Sequence, residues 1–389
     1  MNNLIIKNSI KQSKIVELLA KTRGGNAEQI ARALYQKNTP TEMTKTYELL
    51  KKLELKGLID YFVYKDDSVQ KRFYFLSRKG LVLFQDFFNI EEGTKGTGVF
   101  GDFGYFKHAI YIPKTNQMKH LLMCVDAMID VYILMSNYPN SEIDFAHNLY
   151  AANNHVKADF VIVKSGKIYF VEIDRMHERG IAITNKFERY NKYFETKDEV
   201  SLPKCIYFVV PSSKREKEDQ FDSSHEKRFK SVANAFLKEC SNYVQKVDLC
   251  FVSVANFINV LQEDLLPAKV NPKIQEYFNT KYTEYFNLSW DKNKIYFVVK
   301  DKITHYIITE IEWLRTKIWY DLHNLQKYYS KVTDTEVGVL KFESSVIHHI
   351  PKVQILTNKK NLENLLDQKK FPTLANLYNK KQIEFIQNV

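Results

Sequence analysis

The sequence of 389 residues contains four cysteines, Cys124, Cys205, Cys240 and Cys250, and no two of them form a CxxC pair. This spacing provides neither the knuckle of a structural zinc site nor a disulfide framework. Cys124, Cys205 and Cys250 lie in apolar runs, where buried free thiols are expected. Long apolar runs are also missing. None approaches the roughly 20 residues of a membrane-spanning helix. Charges interrupt every apolar stretch near the N-terminus before it reaches secretory length. The expectation is a cytoplasmic chain with no membrane partner. No internal repeat is present, which argues against a solenoid.

The chain is rich in core material, with 44% hydrophobic and 14% aromatic residues. Its length exceeds the size at which one core keeps growing, so two or three domains are expected. Lysine and arginine outnumber acidic residues by 57 to 46, a net charge of +11. From Met1 to Ile90 there are sixteen Lys/Arg against nine Asp/Glu, or +7. A compact basic segment suits a polyanion partner. The general abundance of Lys, Asn, Ile and Tyr is a compositional source for the same excess.

Hydrophobic periodicity predicts a first helix over Lys11–Arg23, with Ile15, Leu18 and Leu19 on one face and Gly24-Gly25 ending it. Asn26 suits the N-cap of a second helix carrying Ile30 and Leu34. Thr41 is expected to cap a third, with Met43, Tyr47, Leu50 and Leu53 as its apolar positions and Gly57 as its stop. A hairpin follows, Ile59–Tyr64 and Arg72–Leu76, and then a helix through Leu81, Phe84 and Phe87. Three short helices and a hairpin are the order of a winged helix. The run Tyr74-Phe-Leu-Ser-Arg-Lys-Gly80 resembles the YxLTxxG ending of the wing. In that fold the third helix enters the major groove of double-stranded DNA. Thr44, Lys45, Glu48, Lys51 and Lys52 would then face outward, with Lys65, Lys71 and Arg72 on the wing.

Glycines recur over Glu91–Lys107 and mark a linker. A long helix is expected over Asn116–Met135, then strands at Phe145–Tyr150, Ala158–Val163 and Ile168–Ile173. Gly166 makes a tight turn between the last two. A helix at Glu178–Phe194, a strand at Ile206–Val210, a helix at His225–Cys240 and a strand at Leu249–Val254 complete the segment. Farther on, Lys294–Lys300 and Val337–Phe342 read as strands and Ile308–Tyr329 as a helix. The tail from Asn361 reads as helical and polar.

Asp159 stands near the start of one strand, and Glu172 and Asp174 stand two apart on the next. Residues i and i+2 of a strand share a face, so Glu172 and Asp174 project together. Pairing across the Gly166 turn would bring Asp159 to them. Three converging carboxylates repel one another unless a cation lies among them, and Mg²⁺ favours such hard oxygen ligands. Lys186 and Tyr190 are an i, i+4 pair on the following helix, where a lysine could stabilise developing negative charge.

Topology and residues together resemble the PD-(D/E)xK nuclease superfamily. A nearer resemblance is to the plasmid replication-relaxation family, which joins a winged helix to a nuclease-like domain. The stretches that carry it are Lys157-Ala158-Asp159, Phe170-Val-Glu-Ile-Asp-Arg175 and Lys186-Phe-Glu-Arg-Tyr190, with His120 in the helix opening the second domain. It covers about Lys11–Val254. Ala158 replaces the usual proline, and Asp174 stands where the nuclease has its lysine.

The expected fold class is therefore α/β and α+β multidomain. Its parts are a winged helix over residues 1–90, a linker over 91–115, a PD-(D/E)xK nuclease-like αβββαβ core over 116–265 and an α+β region over 266–389. The resemblance implies a plasmid or mobile-element protein of DNA replication and relaxation. Its catalytic set would be Asp159, Glu172, Asp174 and Lys186, with Mg²⁺ on the three carboxylates. Two alternatives stay open: a non-catalytic replication initiator or transcriptional regulator with a nuclease-like scaffold, and a defence nuclease. The sequence is compatible with a homo-oligomer. For the carboxylates, the competing reading is a solvated sheet edge paired with Arg175 and Lys157. His120 reads as a capping or packing residue, His177 as a solvent-exposed loop residue, and Tyr190 and Tyr193 as core. His348-His349 has no partner motif and makes a poor metal pair for a relaxase.

Overall fold

The computed structural model describes residues 9–66, 68–151, 155–176, 180–212, 223–266, 288–290, 295–300, 304–309, 315–316, 337–343 and 352–355. It is a mixed α/β structure of two compact units. The first comprises residues 1–175, 207–211 and 253–265, and the second holds the remainder.

In the first unit, helix α1 (Ile10–Thr22) is capped by Ser9, whose Oγ accepts the Gln12 amide at 3.3 Å. Ile15, Val16, Leu18 and Leu19 are buried. The chain leaves α1 through Gly24 at φ +134°, where a Cβ would lie 2.2 Å from the ring of Phe73. Only glycine fits there. Gly25–Asn26 (β1) pairs with Tyr74 and Phe73, and Asn26 caps helix α2 (Ala27–Tyr35). That cap is reciprocal: Asn26 Oδ1 accepts the Gln29 amide, and Gln29 Oε1 accepts the Asn26 amide, both at 2.9 Å. Helix α3 (Pro40–Leu55) starts earlier than the sequence suggests, with Thr39 as N-cap and Pro40 in the first turn. Proline already has helical φ and no amide to leave unpaired.

Strands β2 (Ile59–Asp66) and β3 (Val69–Leu76) form an antiparallel hairpin in register from Ile59↔Leu76 to Asp66↔Val69. Ser77 caps helix α4 (Arg78–Phe87) by accepting the Gly80 amide at 3.0 Å. Gly80 passes so near the hairpin that a Cβ would come within 1.9 Å of the Leu58 carbonyl. The glycine-rich stretch after α4 has little regular structure but is packed. Phe103 sits 5.0 Å from Phe84, the Tyr150 ring packs over Gly98, and the Tyr150 hydroxyl accepts the Gly104 amide at 3.1 Å.

Helix α5 (Met118–Asn137) runs two residues beyond its expected end. It lies along α2, and polar contacts step down the pair. Gln29 donates to the Leu122 carbonyl at 3.0 Å, Arg32 to the Asp126 carbonyl at 2.9 Å and Gln36 to Asn137 at 2.5 Å. Strand β4 (Ile143–His147) begins two residues before its expected start, and the short helix α6 (Asn148–Ala151) takes its expected end. Lys21 and Asp144 form a buried ion pair joining α1 to β4.

Strands β5 (Phe160–Lys164) and β6 (Lys167–Ile173) follow, joined by Ser165 at φ +46° and Gly166 at φ +75°. Two positive-φ residues make the tight turn whose twist suits a hairpin. The sheet order is β4-β5-β6, with β7 (Cys205–Val210) next to β6. Helix α9, the last element of this unit, spans Phe257–Leu265, and its Phe257 packs against Phe160 and Tyr207.

The second unit contains helices α7 (Ile181–Glu195) and α8 (Ser223–Glu239). They pack through Phe187 and Phe236, whose ring centres are 5.5 Å apart. Strand β8 (Asp248–Ser253) carries Asp248, which pairs with Arg315 at 3.2 Å. A five-stranded sheet is formed by β9 (Leu288–Trp290), β10 (Ile295–Lys300), β11 (Thr304–Thr309), β12 (Val337–Glu343) and β13 (Lys352–Ile355). Its order is β13-β12-β11-β10-β9, with β11 and β12 parallel. The strands expected at Lys294–Lys300 and Val337–Phe342 are present. The helix expected from Ile308 is corrected at its start, because Ile308 and Thr309 pair with Tyr296 and Ile295 as strand β11. β-branched neighbours favour that pairing. The polar tail from Asn361 lies outside the described residues.

Candidate functional site

The first unit carries a basic surface on α3 and the β2–β3 hairpin. Helix α3 buries Glu42, Thr46, Leu50 and Leu53. Two of these are polar but satisfied within the helix. Thr46 Oγ1 donates to the Glu42 carbonyl at 2.8 Å, and the Glu42 carboxylate accepts from Thr39. This stripe corrects the expected one: Tyr47 is 52% exposed instead of facing the core. Thr44, Lys45, Lys51 and Lys52 are exposed, as is Glu48. The Thr44 hydroxyl donates to the Pro40 carbonyl at 3.0 Å.

On the hairpin, Lys65 and Arg72 are exposed. The Arg72 guanidinium lies 4.1 Å from the centre of the Tyr61 ring, within cation–π range. Lys71 differs from its neighbours. It is half-buried and bridges Asp66 at 3.1 Å and Glu28 at 3.4 Å. The hydrogen bond to Asp66 raises its pKa above the usual lysine value.

A second cluster forms where the first turns of α5 meet the β5–β6 pair. His120 and Cys124 are one helical turn apart on α5, so they share a face. Asp159 directly precedes β5. Its amide donates to the Val171 carbonyl at 3.0 Å, which extends the ladder by one residue. Its carboxylate has two partners. Oδ2 accepts the Ile173 amide at 2.7 Å, and Oδ1 lies 2.9 Å from His120 Nε2.

The register that pairs Phe160 with Val171 sets Asp159 opposite Glu172. Glu172 is 4% exposed and Asp174 3% exposed, so neither belongs to a solvated sheet edge. The Asp174 amide donates to the Val209 carbonyl at 2.8 Å, which fixes the exit of β6 against β7. Burial pushes the Cys124 thiol well above its ordinary pKa, and the carboxylates of Asp159 and Glu172 push it the same way, against Arg23.

Lys186 is half-buried on α7 in the second unit, one turn before Tyr190, which is buried in the core together with Tyr193. His177 and His348-His349 lie outside the described residues. Cys124, Cys205 and Cys250 are buried free thiols, as expected, and Cys240 is one as well. The sequence reading missed the role of His120, which partners Asp159 instead of capping α5. Its spacing from Cys124, i to i+4 at the start of a helix, was the available signal. Among the described residues, no helix is long and apolar enough to cross a membrane.

A family model described as Replication-relaxation matches residues 16–203. The matched stretch contains the basic surface, His120, Cys124, the three carboxylates and Lys186. No curated protein and no solved structure matches the chain.

Proposed function

From residues 16–203, through which the chain belongs to the replication-relaxation family, we propose a DNA-binding protein of plasmid or mobile-element replication. In this reading α1–α3 and the hairpin are a winged helix, with α3 in the major groove and the hairpin on the DNA backbone. The observation that carries the proposal is the outward set Thr44, Lys45, Lys51, Lys52, Lys65 and Arg72 on those two elements. A helix whose buried face is internally satisfied leaves its cations available for phosphate, and hairpin cations extend the same footprint.

The cluster at Asp159 is the proposed PD-(D/E)xK-type centre. Its donor oxygens, on Asp159, Glu172 and Asp174, suit Mg²⁺ in kind. When bound, Mg²⁺ would supply Lewis-acid polarisation of a phosphate oxygen and a more acidic water. Asp159, held through Ile173, is oriented before any ligand arrives, and His120 beside it can accept or return a proton.

The test is incubation of supercoiled plasmid with Mg²⁺ and the full chain, beside Asp159→Ala and Glu172→Ala variants. Relaxed or linear product from the wild type alone is expected. Equal survival of the plasmid in all three samples, with DNA binding retained, overturns cleavage. That outcome favours a second reading, a non-catalytic initiator or regulator. The observation behind it is Asp174, an anion where the nuclease pattern has its lysine.

A further inference from the structure

We propose that His120, Cys124 and Asp159 form a site for a borderline transition-metal ion of the Zn²⁺ and Co²⁺ class, bound in preference to Mg²⁺. One imidazole nitrogen, the Cys124 sulfur and one Asp159 oxygen all lie within 4.8 Å of one another. Around a tetrahedral ion, with metal–ligand lengths of about 2.0–2.3 Å, such atoms sit roughly 3.4–3.6 Å apart. His120 Nε2 and Asp159 Oδ1 are already closer, at 2.9 Å, so an ion entering between them would spread them by a few tenths of an ångström.

The backbone prepares this set in two ways. Helical spacing of i and i+4 aims His120 and Cys124 from one rigid face, the arrangement that two helical ligands of one ion require. Asp159 is oriented through its other oxygen, Oδ2, by the Ile173 amide at 2.7 Å. A hydrogen bond of that kind behind a ligand fixes its direction and strengthens metal binding. Oδ1 is then the oxygen that can exchange His120 for a metal.

Donor chemistry selects the ion. Thiolate and imidazole suit Zn²⁺ and its neighbours, whereas Mg²⁺ takes oxygen ligands and keeps its water. Thiolate and carboxylate together neutralise a dication, and the nearby charge of Glu172 attracts it further. Three protein ligands leave a fourth position for water or a phosphate oxygen. His120 and Asp159 have side chains 33% and 18% exposed, so an ion can enter from solvent, while Cys124 forms the buried end of the site. The inference rests on reading this centre as a cation site and does not require that it cut DNA.

The experiment is a Co²⁺ titration of the full chain after chelator treatment, followed by absorption. One equivalent of Co²⁺ per chain is expected. It should show a thiolate-to-cobalt charge-transfer band in the near ultraviolet and the visible bands of a four-coordinate ion. Zn²⁺ at equal concentration should erase the signal, and a large excess of Mg²⁺ should not. Cys124→Ser should abolish the near-ultraviolet band, Cys205→Ser should retain it, and His120→Ala should weaken Co²⁺ binding about tenfold or more. His120 is partly exposed, so its variant carries the test even where Cys124→Ser fails to fold. Absence of the band, an unchanged band in folded Cys124→Ser, unchanged affinity in His120→Ala, or displacement by equimolar Mg²⁺ would each overturn the proposal. Plasmid cleavage with Mg²⁺ but no cobalt band overturns this site and leaves the nuclease reading standing. A cobalt band without cleavage under any of these ions does the reverse.

Discussion

Arg72 lies over the ring of Tyr61, 4.1 Å from its centre, while the preceding residue, Lys71, is tied to Asp66 and Glu28. Two adjacent cations on one strand therefore differ in what they can offer a phosphate. Arg72→Ala is expected to weaken binding to duplex DNA several-fold and to lower the salt-dependence slope by about 1. Lys71→Ala should change both far less, because its charge is already compensated. Fluorescence anisotropy at several salt concentrations reads both quantities, and equal effects of the two variants would contradict the assignment.

Lys45 and Lys51 extend that comparison to α3. Both are exposed, although their neighbours Thr46 and Leu50 are buried. Replacing the two together should reduce the salt slope by about 2 if each meets one phosphate. Helical content by circular dichroism should stay unchanged, since neither side chain is buried.

The Lys21–Asp144 pair has side chains only 4% and 1% exposed. Removing the cation alone, as in Lys21→Met, leaves a buried carboxylate uncompensated and should cost about 3–5 kcal/mol in urea unfolding. Asp144 also accepts the Phe100 amide at 2.5 Å. Lys21→Met combined with Asp144→Asn keeps an acceptor for that amide without the charge, and should lose less than Lys21→Met alone.

Burial raises the Asp130 carboxyl to about 7 from an ordinary 3.8, despite the pull of Arg32 at 3.2 Å. The folded state thus holds a proton that the unfolded chain gives up at lower pH. Stability contributed by this group is complete below pH 4 and is lost as pH rises toward 7, with a slope no steeper than about 1.4 kcal/mol per pH unit. Asp130→Asn should flatten that part of the stability profile. Its advantage over the wild type should appear at pH 8 and vanish at pH 4, as measured by denaturation at each pH.

The amphipathic helices and the alternating strands were legible because their signals are local. Asn26 announced α2, and Gly166 announced the β5–β6 turn. Strand periodicity and a tight turn alone bring Asp159 toward Glu172 and Asp174, and the register then sets it opposite Glu172. The buried face of α3 was not legible in the same way. Thr46 and Glu42 look solvent-facing until Thr46 bonds to its own helix and Glu42 finds Thr39, and Tyr47 looks like core until they displace it. His120 escaped for a related reason: its partner is 39 residues away and belongs to another element. The end of strand β11, Ile308 and Thr309, reads as the start of a helix because a short apolar run lacks a period of its own, and its partners Ile295 and Tyr296 decide the matter.

The polar steps between α2 and α5, and the ion pair between α1 and β4, have a mechanical meaning under the proposed DNA-binding role. A reading head on a slack tether can deliver its cargo to a range of positions. Here the helices that precede the hairpin are bolted at Gln29, Arg32 and Gln36 along the same helix that bears His120. If α3 grips a duplex as proposed, that duplex would be held at a set offset from Asp159, and the chain would act as a ruler. Whatever happens at that centre should fall a constant number of base pairs from the recognised sequence.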